Sequence, residues 1–171
     1  HYPSLLPRWV PYYEYFLPRL IKGSTAVVCI SEFTRQEVLE RYPSIPEEKL
    51  KVIHGGVDLE RFHPCSPGVI KEHYELKDYL LCVGEVRPYK NIENVFRALE
   101  LWTDGPQLAI SGNILGNHKA KLENLARSLN IENRVTWLGY VPDDLLPNLY
   151  SEAAAFIFPS LYEGFGLPIL E

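Results

Sequence analysis

Two glutamates frame a glycine-rich turn at the end of the sequence, in the segment YEGFGLPILE. Glu163 and Glu171 have seven residues between them, and two glycines follow the first glutamate closely. Glycine lets a backbone approach a ligand, and Pro168 suits the first turn of a helix. We therefore expect the backbone amides of 165–167 to form a cradle for an oxyanion or a phosphate, with both carboxylates facing one ligand.

A second loop, VGEVRPYKN, carries two cations. Arg87 and Lys90 stand directly before a predicted helix, whose free N–H groups favour an anion. Taken alone, both side chains are better interpreted as solvated cations of a surface loop than as a phosphate site. Neither a Walker P-loop nor a G-x-G-x-x-G motif is present, so no common nucleotide-binding motif indicates a phosphate site at this loop. Its combination with the glycine-rich turn favours a phosphate site.

Three kinds of function fit these residues. Glu163 and Glu171 would suit a glycoside hydrolase, which uses a pair of carboxylates across the scissile bond. A hydrolase has no need of the cationic loop, whereas a transferase with a diphosphate leaving group needs positive charge there. We therefore favour a transferase. The third alternative is a domain that binds a nucleotide sugar without turning it over.

The elements around these loops alternate between strands and helices. Short apolar runs predict strands at 25–30, 49–53, 79–84, 107–112, 134–139 and 154–159, and amphipathic segments predict helices at 31–42, 91–102, 118–129 and 143–153. Such alternation predicts an α/β fold with a doubly wound parallel sheet. Ligands of these sheets bind beyond the carboxyl ends of the strands, and the two loops leave such ends.

Flanking segments are less regular. Pro11 and Pro18 predict that the aromatic segment 9–21 is an interrupted helix. Its aromatic face with an Arg/Lys fringe would pack on a preceding domain or meet a membrane surface. Residues 63–77 contain prolines and a glycine without clear periodicity, which is typical of an interdomain linker.

The composition and charge of the chain argue against several classes of protein. A formal net charge of -5 and a pI near 5.6 argue against a nucleic-acid partner. The three cysteines are scattered, so neither a disulfide framework nor a metal site is predicted. No apolar run approaches the roughly 20 residues of a membrane-spanning helix. We expect a cytoplasmic protein, with peripheral contact at the inner face of the membrane as the alternative. Because the chain lacks Met and stops where a helix should open, we expect a piece of a longer polypeptide.

Longer stretches carry a family resemblance. The segments VCISEFTRQEVLERY, KVIHGGVDLERFHP, LCVGEVRPYKNIENVFRAL and VTWLGYVPDDLLPNLYSEAAAFIFPSLYEGFGLPILE cover nearly the whole chain. Together they resemble the retaining, nucleotide-sugar-dependent glycosyltransferases of family 4, which have the GT-B architecture of two Rossmann-like domains. Glu163 and Glu171 match the E-x7-E signature of that family in its usual G-F-G-L-P setting.

The resemblance implies a domain division. Residues 1–62 would be the C-terminal part of the N-terminal, acceptor-binding domain, 63–77 the interdomain linker, and 78–171 a truncated C-terminal domain that binds the nucleotide-sugar donor. We expect the chain by itself to be inactive, because the upstream domain and the rest of the last helix are missing.

The family resemblance also implies roles for individual residues. Lys90 would bind the donor diphosphate, Glu171 the ribose hydroxyls and Glu163 the transferred sugar. The other predicted donor-site positions are the backbone amides of Phe165, Gly166 and Leu167, the glycine Gly84 before the cationic loop, and Tyr140 and Val141 beside the base. Family members commonly carry arginine where this chain has Glu85 or Tyr89, so Arg87 would take over that role.

The implied reaction transfers a hexose with retention of configuration to a glycan, a lipid-linked or a small-molecule acceptor. No metal and no other cofactor is expected. The donor would be GDP-mannose or a UDP-sugar, and the P-x-K-N form of the cationic loop favours mannose by analogy.

Overall fold

The computed structural model describes residues 10–114 and 116–171 and divides the chain into two units. The first unit runs up to Gly56 and includes Glu163–Leu167. The second comprises Val57–Tyr162 and Pro168–Glu171. The domain bounds predicted at residues 62 and 78 stay a prediction.

The first unit is a small α/β layer. In chain order it contains a π-helix at Tyr12–Phe16, α1 at Leu17–Gly23, β1 at Val27–Cys29, α2 at Glu32–Arg41, a 3-10 turn at Glu47–Lys49 and β2 at Leu50–Val52. Strands β1 and β2 are parallel, with Val27 opposite Leu50. Its core is formed by Ile21, Cys29, Ile45 and Leu50, all of them buried.

The start of α2 agrees with the sequence prediction. Ser31 caps this helix, and its hydroxyl oxygen accepts a hydrogen bond from the backbone N–H of Thr34 at 3.0 Å. The aromatic segment differs from its prediction, because helical structure continues from residue 10 to residue 23. Pro18 lies shortly after the π-helix Tyr12–Phe16, so the helical hydrogen-bond pattern changes just before the residue that lacks an N–H.

Within the described residues, the second unit contains one short helix followed by seven alternating strands and helices. They are α3 at Val69–His73, β3 at Tyr79–Val83, α4 at Ile92–Leu101, β4 at Gln107–Ser111, α5 at His118–Ser128, β5 at Val135–Gly139, α6 at Leu146–Ser151 and β6 at Ala155–Phe156. The sheet order is β5-β4-β3-β6, and every pairing is parallel. This confirms the predicted doubly wound sheet.

Strand β3 is the centre of that unit. The chain runs outward from β3 through β4 to β5 and then returns to place β6 on the other side of β3. The loops after β3 and β6 therefore leave a point where the strand order reverses, which is where such sheets bind ligands. Side chains of β3 alternate between the two faces, so Leu80 and Cys82 enter one core cluster and Tyr79 and Leu81 the other.

Some elements differ from their predictions. Helix α6 begins only at Leu146, with Pro147 in its first turn, and β6 pairs with β3 over two residue pairs. The last turn is a 3-10 helix at Leu167–Ile169. Helix α3 lies within 63–77, where the sequence shows no periodicity. None of the helices within the described residues is both long and apolar enough to cross a bilayer.

Candidate functional site

The loop after β3 places a cation against the end of its own strand. Gly84 has a positive φ of 122°, and a Cβ built on it would stand 3.6 Å from Nζ of Lys90. Lys90 ends a short 3-10 turn, Pro88–Lys90, and its ammonium lies 5.2 Å from the ring centroid of Phe158. The turn thus folds Lys90 back over the carboxyl end of β3.

Two hydrogen bonds tie this loop to the loop after β6. The backbone N–H of Leu161 donates to the carbonyl of Tyr89 at 2.8 Å. The side-chain amide of Asn91 donates to the carbonyl of Pro159 at 3.1 Å. Asn91 itself adopts the left-handed conformation that starts α4. The residues on both sides of Lys90 and of Ser160 are therefore held in place.

A pocket lies between these two loops. Its walls are mostly apolar, and Lys90 is the charged residue among those that line it: Cys82, Val83, Gly84, Val86, Lys90, Ile92, Ile110, Ile157, Phe158, Pro159 and Ser160. Burial raises the pKa of the Cys82 thiol to about 12, against an opposing effect of the Lys90 charge. Cys82 is therefore a neutral wall residue at physiological pH. The hydroxyl of Ser160 is buried and has no hydrogen-bond partner within the described residues.

Gly112, which follows β4, brings the backbone of that strand end close to Gly84. Gly112 has a φ of 130°, and a Cβ there would stand 2.1 Å from the carbonyl oxygen of Gly84. The N–H of Gly112 donates to the carbonyl of Gly139 at the end of β5. The carboxyl ends of β3, β4 and β5 thus meet without side chains between them.

Arg87 is engaged differently from Lys90. Its Nε donates to Oε2 of Glu85 at 2.6 Å, and the resulting ion pair raises the pKa of the Arg87 guanidinium. Both side chains are partly exposed. The charge of Arg87 is therefore largely offset by Glu85, the residue at one of the positions where the resembling family commonly has arginine.

Glu171 is held by a tyrosine that the sequence analysis missed. The hydroxyl of Tyr150 donates to Oε2 of Glu171 at 2.8 Å. Burial, followed by the hydrogen bond to Glu171 and then by its charge, raises the pKa of Tyr150. The sequence offers no signal for this pair, because Tyr150 lies on α6, 21 residues before its partner.

The glycine-rich turn belongs to the first unit. The carbonyl of Gly164 accepts hydrogen bonds from Ser31 Oγ at 2.5 Å and from Thr34 Oγ1 at 3.2 Å. The ring of Phe165 stacks on His54 with centroids 5.5 Å apart. Gly166 has a positive φ of 97°, which supports the predicted need for glycine at this turn.

Tyr140 and Val141 differ in exposure. Tyr140 is 65% exposed, and its hydroxyl lies 3.4 Å from Oδ1 of Asp143. Val141 is only 5% exposed and packs in the core cluster that contains Tyr79 and Leu149. The side chain of Val141 is thus a core residue, and only its backbone is left for a ligand contact.

The predicted site residues are divided between the units. Gly84, Arg87, Lys90, Tyr140, Val141 and Glu171 lie in the second unit, whereas Glu163, Phe165, Gly166 and Leu167 lie in the first. The structure brings Lys90 and Gly84 together as a local group. No cluster of three or more His, Cys, Asp or Glu side chains in the described ranges is arranged to hold a metal ion.

Two family models match the sequence. The model for glycosyl transferases group 1 matches residues 69–171, and the model for glycosyltransferase family 4 matches residues 1–61. The two matches together include almost every residue of the chain.

Curated relatives include several sugar transferases. O-antigen chain mannosyltransferase B of Escherichia coli is 32% identical over 169 residues, which cover 95% of this chain and 44% of the relative. O-antigen chain mannosyltransferase RfbU of Salmonella typhimurium is 28% identical, covering 100% of this chain and 45% of the relative. A GDP-mannose-dependent phosphatidylinositol monomannoside mannosyltransferase of Mycobacterium tuberculosis is 27% identical, with 90% and 40% covered. The chain thus spans less than half the length of these relatives.

Solved structures show the same fold. Anabaena HepE in complex with UDP and glucose aligns with a TM-score of 0.77 at 21% identity, covering 90% of this chain and 44% of that one. A glycosyltransferase from Rickettsia africae aligns with a TM-score of 0.74 at 24% identity, covering 95% and 44%. At these identities the likeness concerns the fold alone.

Proposed function

We propose that this chain, which belongs to the glycosyl transferases group 1 family, contributes the donor site of an enzyme that transfers a hexose from a nucleoside diphosphate sugar to an acceptor hydroxyl. The observation that carries the proposal is the position of Lys90 against Gly84, where the strand order reverses. A cation at that point suits a diphosphate, because ligands of doubly wound sheets bind there.

Lys90 has the central role in this proposal. When the sugar departs, negative charge develops on the leaving diphosphate, and a cation already in place stabilises that charge without rearrangement. The pocket walls around Lys90 are largely apolar, which strengthens the electrostatic interaction. Arg87 would assist from the same loop once its pairing with Glu85 is loosened.

The remaining roles follow from the family resemblance. Glu171 would accept hydrogen bonds from the ribose hydroxyls, and the backbone at Tyr140 and Val141 would flank the base. Glu163 would bind the transferred sugar, with the amides of Phe165, Gly166 and Leu167 contacting sugar and phosphate. We propose retention of configuration, with no protein nucleophile and no metal assigned.

Mannose from GDP-mannose is the donor we favour. The Escherichia coli and Salmonella relatives bear mannosyltransferase names, and the Mycobacterium relative is described as GDP-mannose-dependent. A UDP-sugar is the alternative, since the similar Anabaena structure holds UDP and glucose. The names of the Escherichia coli, Salmonella and Mycobacterium relatives favour a glycan or lipid-linked acceptor. The exposed aromatic side chains Tyr13, Tyr15 and Phe16 are the face we would assign to peripheral membrane contact.

Calorimetric titration of the complete protein with GDP, UDP and ADP tests the donor site. We expect one of the nucleotides to bind and Lys90→Ala to weaken that binding. In a transfer assay Lys90→Ala should lower the rate on the order of 10²-fold. Lys119→Ala is the matched control, because Lys119 lies on α5 beside Glu123 and away from the pocket lining.

Two results would contradict the proposal. One is a protein that binds none of the three nucleotides, and the other is a Lys90→Ala variant with the rate of the unaltered enzyme. Product analysis by NMR addresses retention separately, because the one-bond coupling between the anomeric carbon and its proton reports the configuration of the new bond.

A further inference from the structure

We infer that Tyr150 is a positioning residue, which orients the carboxylate of Glu171 for hydrogen bonds from the donor ribose. The inference rests on the proposed function, in which Glu171 contacts that ribose. The observation behind it is a hydrogen bond, which is independent of the family signature: the phenol hydroxyl of Tyr150 donates to Oε2 of Glu171 at 2.8 Å. Tyr150 would act through Glu171 and would not touch the substrate.

The ring of Tyr150 is fixed by two aromatic neighbours. Phe156 on β6 packs edge-on against it, with centroids 5.3 Å apart at 74°. Phe62 contacts it in a similar geometry, at 6.1 Å and 69°. The guanidinium of Arg61 lies over the Phe62 ring and donates to the backbone carbonyl of Asp143. The phenol is therefore held from the strand side and from the segment that precedes α3.

Helix α6 is anchored on both sides of Tyr150. The hydroxyl of Tyr79, a fully buried residue of β3, donates to the carbonyl of Leu149 at 2.8 Å. The carboxylate of Glu152 accepts hydrogen bonds from the backbone N–H groups of Ile70 and Lys71. Because its neighbours in sequence are anchored, Tyr150 offers its hydroxyl from a fixed point.

A fixed phenol suits the task of orienting a carboxylate. A neutral hydroxyl that donates to an ionised carboxylate makes a strong, short hydrogen bond. Burial and the hydrogen bond to Glu171 raise the pKa of Tyr150, so its hydroxyl keeps its proton at neutral pH. With Oε2 of Glu171 engaged, the carboxylate retains acceptor capacity at Oε1 for a ribose hydroxyl. Without the phenol, Glu171 would regain rotamers that point away from the ligand.

The test compares ribose with dideoxyribose. Calorimetry of the complete protein is run with GDP, UDP and the 2′,3′-dideoxy form of each. In Tyr150→Phe we expect about tenfold weaker binding of the ribonucleotide, as for loss of one charge-assisted hydrogen bond. Binding of the dideoxynucleotide should be unchanged. In a Glu171→Gln background, Tyr150→Phe should have no further effect.

Tyr42→Phe is the matched control, because it also removes a phenol hydroxyl that donates to a backbone carbonyl, that of Tyr13, but it touches neither Glu171 nor α6. It should leave the ratio of ribose to dideoxyribose affinity unaltered. Equal loss of both nucleotide forms in Tyr150→Phe, or no loss of either, would overturn the positioning role alone. Failure of the unaltered protein to bind GDP or UDP would overturn the proposed function together with it.

Discussion

The Nε of Arg87 donates a hydrogen bond to Oε2 of Glu85 at 2.6 Å, beside the carboxyl end of β3. The pair places a negative charge in the same loop as Lys90. Glu85→Gln removes that charge and releases Arg87, so we expect it to tighten nucleoside diphosphate binding. Since both side chains are partly exposed, the gain should be about two- to fivefold at low ionic strength and smaller in added salt. Titration with GDP and UDP at two salt concentrations measures it.

A control variant makes the same change of net charge elsewhere. Asp78→Asn removes a carboxylate at the amino end of β3, where Asp78 pairs with Lys71. It should leave nucleotide affinity unaltered. Weaker binding in Glu85→Gln would instead mean that Glu85 holds Arg87 in its working position.

Gly112→Ala should disrupt the second unit. The new Cβ would stand 2.1 Å from the carbonyl oxygen of Gly84, which is backbone and cannot rotate away, and the residue would have a φ of 130°. We expect destabilisation of more than about 3 kcal/mol, larger than an ordinary overpacking change. Thermal unfolding of the complete protein, followed by circular dichroism, measures the change.

Gly116→Ala separates steric clash from backbone strain. Gly116 also has a positive φ, of 58°, but a Cβ there meets nothing within 4 Å. Substitution of Gly116 by alanine should lower the free energy of unfolding by only about 1 kcal/mol. Equal melting temperatures for the two variants would show that the close approach of Gly112 to Gly84 does not constrain the fold.

Glu152→Ala should destabilise the second unit through α3. The Glu152 carboxylate accepts from the N–H groups of Ile70 at 2.9 Å and of Lys71 at 3.1 Å. These are first-turn N–H groups of α3, which lack intrahelical partners and favour a negative charge. We expect a loss of about 1–3 kcal/mol, measured by urea unfolding.

Glu123→Ala serves as the comparison for Glu152→Ala. Glu123 lies on α5 with a partly exposed side chain, 3.7 Å from Lys119. An exposed pair of this kind contributes at most about 1 kcal/mol. If both alanine variants unfold at the same urea concentration, the cap on α3 contributes nothing measurable.

Local patterns accounted for the order and type of most elements. Apolar runs located β3, β4 and β5 to within one residue, and the helix predicted at 31–42 matches α2, which follows its cap Ser31. These signals depend on side-chain periodicity and on hydrogen bonds between residues close in sequence, so they are readable without a fold. Helix α3 was missed because its N-terminal cap comes from Glu152, 82 residues beyond Ile70.

By itself, the sequence determined the parallel α/β class, the family and the two loops that carry Lys90, Glu163 and Glu171. Only the tertiary structure decided which side chains meet. It folds Lys90 over Gly84, pairs Arg87 with Glu85, buries Val141 in the core and sets Tyr150 against Glu171. Such contacts depend on how strands and helices pack in three dimensions, and neither periodicity nor motif spacing encodes the distance between atoms that packing brings together.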